Sequence, residues 1–129
     1  MAREYLGKTD GHEIWIENGI VYCSSEAIEL TQEHVNWIFK VIGDQFAKMR
    51  RKRKLIMLVL KGTVSVSADK YQSRVELSRM GTEKLAIVIG KSRIAEVILN
   101  FAIRMTPQGN LKTKVFENNI EARKWLLEE

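Results

Sequence analysis

Lys84-Leu-Ala-Ile-Val-Ile-Gly90 is the stretch that decides the fold, together with the residues that follow it. This apolar run predicts a buried strand. A helix-length segment (92–105) and a second β-rich run (112–116) come next, and the pattern over 118–128 predicts a final helix. Two strands separated by a helix-length crossover predict parallel pairing in an α/β layer.

The predicted helix over 92–105 is apolar around almost its whole circumference. From position 94 onward its only polar residues are Glu96, Asn100 and Arg104, which are spaced by four and form one narrow stripe. A helix packed on one face of a sheet needs only about a third of its circumference to be apolar. The additional apolar surface of this helix predicts a further buried contact with a ligand, a membrane, a partner or the protein's own core. The predicted contact residues are Val97, Phe101 and Met105.

The first part of the chain predicts a β-hairpin. Residues 1–12 have little apolar content and predict a loose start, whereas residues 13–17 alternate between polar and apolar. Asn18-Gly19 separates them from the β-rich run 20–23. Asn-Gly between two such runs is the strongest short-range signal for a hairpin, because both residues accept positive φ.

A long helix, a strand and a second helix are predicted next. Thr31 is the predicted N-cap of a helix over 31–49. The continuous apolar run 54–60 predicts a strand that is covered on both faces. A polar helix is predicted over 68–80.

The composition is that of an ordinary globular domain. Of 129 residues, 45% are hydrophobic and 29% are charged, and the net charge of +5 permits anionic partners without selecting one. The single cysteine, Cys23, excludes an internal disulfide and fits a reducing compartment. Residues 1–5 lack the apolar core of a signal peptide. We therefore expect a cytoplasmic protein in which residues 13–129 form a single domain.

The titratable and nucleophilic residues predict a non-catalytic protein. Neither His12 nor His34 has a second ligand at a metal-binding spacing, so we expect no metal and no cofactor. The candidate nucleophiles are Ser65, Ser67 and Cys23, and the sequence places no base beside any of them.

Two basic segments are candidates for contact with an anion. The longer one is the run Arg50, Arg51, Lys52, Arg53 and Lys54. A solvated connector explains this run, and an anionic membrane surface is the sharper alternative. Nucleic acid is disfavoured, because no recognised motif or interleaved aromatic residue accompanies the run. Lys91 and Ser92 either hold an anion at the start of the 92–105 helix or simply cap it.

Trp37 is the predicted functional aromatic residue. It lies off the main apolar stripe of the 31–49 helix, and Val41, four residues later, extends a second strip. An extra strip predicts contact with another helix, a partner chain or a ligand. Trp15 and Trp125 are predicted to be core residues.

The order of these elements resembles the STAS domain, the fold of anti-sigma-factor antagonists. More narrowly, it resembles the SpoIIAA-like single-domain proteins related to the CRAL-TRIO lipid-binding domain. The segments that carry the resemblance are Ile14-Trp-Ile-Glu-Asn-Gly-Ile-Val-Tyr22, Leu55-Ile-Met-Leu-Val-Leu60, Leu85-Ala-Ile-Val-Ile89 and Lys114-Val-Phe-Glu-Asn-Asn-Ile-Glu-Ala-Arg-Lys-Trp-Leu126. The resemblance implies an α/β fold with a mixed sheet of about five strands, an N-terminal hairpin, about four helices and a non-enzymatic regulatory or binding role.

The resemblance also implies where a phosphoacceptor would lie. In anti-sigma-factor antagonists, a phosphorylatable serine opens the helix after the third strand, typically within Asp-Ser-Ser/Thr-Gly. The matching segment here is Val64-Ser-Val-Ser-Ala-Asp-Lys70, which lacks the Asp-Ser pair and the glycine. Its nearest hydroxyl is that of Ser67, which is better explained as the N-cap of the 68–80 helix. This departure disfavours a phosphoswitch.

The leading hypothesis is a domain that binds a hydrophobic ligand, or associates reversibly and peripherally with a membrane, through the 92–105 and 31–49 helices. In the lipid-related branch the corresponding helices can separate from the body, and the apolar 92–105 helix fits that branch. The alternative is a protein-interaction module of the antagonist type, acting as a homodimer or with a regulatory partner. A tight dimer would bury the apolar surface without any ligand.

Overall fold

The computed structural model describes residues 3–9, 11–26, 29–50, 52–61, 65–66, 70–89 and 111–128. The strands of its main sheet are β1 (Glu4–Thr9), β2 (His12–Glu17), β3 (Ile20–Ser25), β5 (Leu55–Leu60), β7 (Lys84–Val88) and β8 (Lys112–Phe116). A separate parallel pair consists of β4 (Glu29–Leu30) and β6 (Ser65–Val66). The described helices are α1 (Gln32–Ala47), α2 (Lys70–Arg79) and α3 (Asn119–Leu127). The main sheet is mixed, with the strand order β1-β2-β3-β5-β7-β8.

The turn at Asn18-Gly19 fixes the register of the β2–β3 hairpin. Both residues have positive φ, 53° for Asn18 and 78° for Gly19, which confirms the predicted hairpin. A two-residue turn pairs residues at equal distances on either side of it. The structure accordingly pairs Trp15 with Tyr22 and His12 with Ser25.

The other half of the sheet is parallel. β5 pairs in parallel with β3 and with β7, and β7 pairs in parallel with β8, which confirms the pairing predicted for 84–90 and 112–116. β5 lies between β3 and β7, and its side chains are buried apart from the partly exposed Leu58. This burial explains the continuous apolar run of β5, since both faces of the strand are covered.

Helices lie on both faces of the sheet. α1 begins after Thr31, whose Oγ1 accepts the His34 backbone N–H at 3.2 Å, so the predicted N-cap is confirmed. α1 and α2 pack on one face through the buried side chains Val35, Ile38, Ile42, Phe46 and Leu77. α3 packs on the opposite face, where Ala122 and Leu126 belong to the core formed with β5 and β7.

The structure corrects three sequence predictions. Residues 4–9, expected to be part of a loose start, form the edge strand β1, whose register with β2 shifts between Tyr5 and Gly7. Within the described residues the main sheet therefore has six strands rather than about five, because backbone pairing with β2 orders a segment of low apolar content. His12, expected to precede the first strand, is the first residue of β2 and is buried. The predicted 92–105 helix lies outside the described residues.

Basic side chains bind the end of α3 to the sheet. Arg53 Nε donates to the two carboxylate oxygens of Glu83 at 3.1 and 3.2 Å. The same guanidinium donates to the backbone oxygens of Leu127 at 3.2 Å and Glu128 at 2.8 Å. Lys84, which is buried, donates to this helix end as well. Cations at the C-terminus of a helix stabilise it, because its last carbonyl groups carry partial negative charge.

The Arg53–Glu83 pair predicts a loss of stability in acid. The hydrogen bond from Arg53 holds the pKa of Glu83 below its usual value, while partial burial opposes the shift. A carboxylate with a lowered folded-state pKa stabilises the fold above its unfolded pKa of about 4.3, and this contribution is lost as the pH falls through the lower folded pKa. We expect urea denaturation between about pH 5 and pH 3 to show a steeper loss of stability in the wild type than in Glu83→Gln.

The exposed pair Arg79–Glu76, with 3.0 Å between nitrogen and oxygen, provides the control for this prediction. Glu76→Gln removes an equivalent negative charge without breaking the link to α3. Its pH profile should follow that of the wild type, because an exposed ion pair contributes little to stability. Parallel profiles for the wild type and Glu83→Gln would contradict the assigned role of Glu83.

Candidate functional site

A groove lies beside α3, over the hairpin strands. α3 packs on β5, β7 and β8, and the adjoining part of the sheet, toward β1 and β2, is occupied by a groove of about 440 Å³. Asn119 and Arg123 of α3 line the groove, and so do Ser24 and Lys61 at the ends of β3 and β5. Ligands of α/β sheets bind outside the carboxyl ends of parallel strands. Shape and position therefore mark this groove as the candidate site.

Aromatic rings form part of the groove. Trp15 and Tyr22 stack with ring centroids 5.2 Å apart and planes 4° apart. The Arg3 guanidinium lies 4.6 Å from the centroid of the Trp15 ring, and Tyr5, which is 60% exposed, lies 6.4 Å from it. Trp15 is only 8% exposed, and within the described residues its indole Nε1 has no hydrogen-bond partner. The groove therefore contains a buried donor without an acceptor.

The groove carries charges of both signs. Its cationic residues are Arg3, Lys8, Lys61 and Arg123, and its carboxylates are Glu13, Glu17 and Glu26. Arg3 Nε donates to Glu17 at 3.1 Å, and Arg123 Nε donates to the Tyr22 hydroxyl oxygen at 3.1 Å. Burying such groups against a hydrocarbon chain would cost free energy, because they would lose their polar partners. The lining suits a polar or charged occupant.

A buried polar cluster lies where β2 begins and β3 ends, and one of its members, His12, also lines the groove. His12 Nδ1 is 2.8 Å from Ser25 Oγ, and the His12 ring lies 4.3 Å from that of His34. His34 Nδ1 is in turn 3.0 Å from Thr31 Oγ1. A serine beside a histidine is the arrangement that activates a nucleophile, but Ser25 is 0% exposed and offers no surface to a substrate. The cluster instead links the hairpin to the start of α1.

Cys23 is not an activated thiol. Burial raises its pKa to about 12, against a weaker opposing effect of the hydrogen bond with Ser25. The thiol is therefore protonated near neutral pH, and a protonated thiol is a poor nucleophile. Of the other candidate nucleophiles, Ser67 and the side chain of Ser65 lie outside the described parts of the chain.

The second apolar strip of α1 contacts strand β1. A Cβ built on Gly7 would lie 3.1 Å from Cζ2 of Trp37 and 3.6 Å from Cγ2 of Val41. Both side chains are partly buried and pack against the core. An edge strand, which the sequence analysis did not predict, thus covers at least part of this strip. A ligand or partner role for Trp37 and Val41 stays a prediction.

The contact between Gly7 and Trp37 predicts a loss of stability for alanine at position 7, in contrast to alanine at position 43. Gly7→Ala places its methyl group against the rigid indole of Trp37, so we expect it to lower the free energy of unfolding by about 1 kcal/mol. Gly43→Ala is the control, because a Cβ there would meet Met80 Sδ at 3.3 Å, at the end of a flexible side chain. Alanine also favours a helix interior by about 1 kcal/mol over glycine. Urea unfolding should therefore show an unchanged or raised stability for Gly43→Ala, and equal losses in the two variants would contradict the packing described.

The residues of the basic run 50–54, which was predicted to contact an anionic surface, differ in their environments. The Arg53 guanidinium binds Glu83 and the end of α3, whereas Arg50 and Lys52 are exposed and Lys54 is partly buried. Contact of this run with an anionic surface stays a prediction. The predicted site residues that lie outside the described part of the chain are Arg51, Ser67, Lys91, Ser92, Val97, Phe101 and Met105.

Sequence reasoning missed the groove. Trp15 was predicted to be a core residue, and it is, but it also lines the groove. The register of the Asn18-Gly19 turn could have placed Trp15 opposite Tyr22 and His12 opposite Ser25. No local signal could have placed Arg123 beside Tyr22, because 101 positions separate them in the sequence.

None of the helices in the described residues has the length and apolar content that a bilayer-spanning helix requires. In the same parts of the chain, no group of three or more His, Cys, Asp or Glu side chains is arranged to hold a metal ion.

Comparison with solved structures identifies the fold. The chain is similar to an uncharacterised protein of the DUF3478 family from Shewanella loihica PV-4, whose crystal structure has a SpoIIAA-like fold. The TM-score is 0.56 at 17% sequence identity, over 98% of this chain and 96% of the other. No protein-family model matches the sequence, and no curated protein does. The chain therefore has a SpoIIAA-like fold, as its sequence pattern predicted.

Proposed function

We propose that this domain is a non-catalytic protein-interaction module, and that the groove beside α3 is its contact surface for a regulatory partner protein. The observation that carries the proposal is the pair of arginines, Arg3 and Arg123, placed over the buried Trp15–Tyr22 stack, with the exposed ring of Tyr5 beside them. Tyrosine and arginine are among the residue types that dominate the binding energy of protein interfaces. The fold supports the same class of function, because SpoIIAA-like domains are typical interaction modules.

The exposed residues beside the groove support this proposal. Ile120 directly follows Asn119 of the groove wall and is 70% exposed, and Tyr5 is 60% exposed. Burying such apolar surface contributes about 25 cal/mol per Å² to association. A polar groove with exposed apolar residues beside it suits a polypeptide, which brings both kinds of group.

Site-specific photocrosslinking in cells tests the proposal. A benzoylphenylalanine at Ile120 should give a discrete adduct, whereas the same probe at Asp44, exposed on α1, should not. An adduct of twice the chain mass would identify a second copy as the partner, and any other discrete mass would identify a different protein. No adduct from Ile120, or equal adducts from both positions, would overturn the proposal.

Hydrophobic-ligand or membrane binding through the 92–105 helix is the second candidate function. It is favoured by the apolar circumference of that segment in the sequence, and a relation to CRAL-TRIO lipid-binding domains belongs to the same proposal. Co-sedimentation with neutral and anionic liposomes at low and high salt tests it. Binding that resists high salt would support insertion of apolar surface into the bilayer. Binding that is lost at high salt would be attributed to the basic run 50–54 alone, and the absence of binding would reject membrane association.

A further inference from the structure

The guanidinium of Arg123 is held at one end only. Its Nε donates to the Tyr22 hydroxyl oxygen, which fixes the direction of the group in the groove. Among the described residues, no acceptor lies within hydrogen-bond distance of its two terminal amino groups. Glu17 is near enough to favour the charge of Arg123 but forms its ion pair with Arg3. The two terminal amino groups of Arg123 therefore remain available to bind a carboxylate in bidentate fashion.

Trp15 provides a second and independent observation. Its side chain is more than nine-tenths buried, it lines the same groove, and its indole N–H has no acceptor in the described part of the molecule. A buried donor left unpaired costs free energy. Arg123 and Trp15 thus lie along one groove, and each has a donor group without an acceptor among the described residues.

The charge balance of the groove favours an acidic occupant. Four cationic residues face three carboxylates, and Arg3 already neutralises Glu17. The first turn of α3, with Asn119 in the lining, adds the positive end of a helix dipole. Glu13 and Glu26 oppose an anion, so we expect the groove to hold one carboxylate at a time.

We propose that the groove binds a carboxylate side chain from an acidic segment of the partner protein, with Arg123 as the bidentate anchor. The inference rests on the proposed function and specifies the chemistry of the partner. The occupant is a polypeptide because the exposed ring of Tyr5 and the exposed side chain of Ile120 accompany the arginines, as in protein interfaces. Arg123→Lys keeps the charge but loses the two-pronged geometry, so it should bind more weakly than the wild type.

Titration with a blocked tetraglutamate peptide, followed by ¹H–¹⁵N NMR, tests this inference. The indole N–H signal of Trp15 and the Nε–H signal of Arg123 should shift saturably, whereas the indole signal of Trp125 should not. A blocked tetraglutamine peptide should leave all three unchanged. Arg123→Gln should weaken binding by about tenfold or more, the scale of one lost charge-assisted hydrogen bond.

Lys124→Gln is the matched control, since it removes a positive charge from the same helix outside the groove. It should leave the affinity within about twofold of the wild type, because exposed charges at a distance are screened. The dispersion of each spectrum shows that the variant is folded. No saturable shift, equal shifts with tetraglutamine, or equal losses in Arg123→Gln and Lys124→Gln would overturn the inference. If the NMR titration failed in one of these ways but the Ile120 crosslink still formed, the proposed protein-interaction function would stand. Only the role of Arg123 as a carboxylate anchor would be rejected.

Discussion

Replacing Lys84 by methionine should lower the free energy of unfolding by about 2 kcal/mol. Lys84 is 6% exposed, and its Nζ donates to the backbone oxygens of Trp125 at 2.7 Å and Glu128 at 2.9 Å. The same ammonium lies 5.0 Å from the centroid of the Trp125 ring. Methionine retains most of the apolar stem but loses the donors, so the last carbonyl groups of α3 lose a charged partner. Urea denaturation at neutral pH measures the effect.

Lys112→Met is the control for this prediction. Lys112 lies directly opposite Lys84 in the β7–β8 pair, but its side chain is exposed. The same substitution there should change the stability by less than about 0.5 kcal/mol. Equal effects at the two positions would contradict the role of Lys84 in fixing α3 to the sheet.

Ile87→Ala should be the most destabilising of the predicted substitutions, with a loss of about 4 kcal/mol. Ile87 is 1% exposed and lies in the core between the sheet and α1. Its neighbours across the two parallel ladders are Leu58 of β5 and Val115 of β8. Alanine removes buried apolar surface and leaves a cavity that these strands cannot close, because both are fixed by their own pairing.

Ile120→Ala makes the same chemical change at a position that is 70% exposed. Its expected effect on stability is smaller than about 0.5 kcal/mol, since no cavity forms. Thermal or urea unfolding of both variants would test the pair. A loss for Ile87→Ala no larger than that for Ile120→Ala would place Ile87 outside the core.

The elements that depend on local chemistry could be predicted from the sequence. Asn18-Gly19 predicted the hairpin because both residues accept positive φ, and Thr31 predicted the start of α1 because its hydroxyl satisfies a free N–H. The apolar run at 84–88 and the crossover that follows predicted the parallel pairing with β8. Each of these signals lies within a few residues or one supersecondary unit.

The features that depend on distant contacts could not be predicted in this way. Strand β1 has few apolar residues, and the pairing with β2, not its own composition, orders it. Arg53 was assigned to a basic surface, since nothing near it in the sequence indicates Glu83 or the end of α3 as its partners. The groove likewise requires α3 to place Arg123 beside Tyr22. Its lining is a product of the tertiary fold.

The measurement that tests the central claim most directly is photocrosslinking from Ile120 in cells, repeated with Arg123→Gln and with Lys124→Gln. The claim is that the groove beside α3 holds a partner protein through Arg123. We predict a discrete adduct in the wild type and in Lys124→Gln, and its loss in Arg123→Gln. The same adduct in all three proteins, or no adduct in the wild type, would contradict the account.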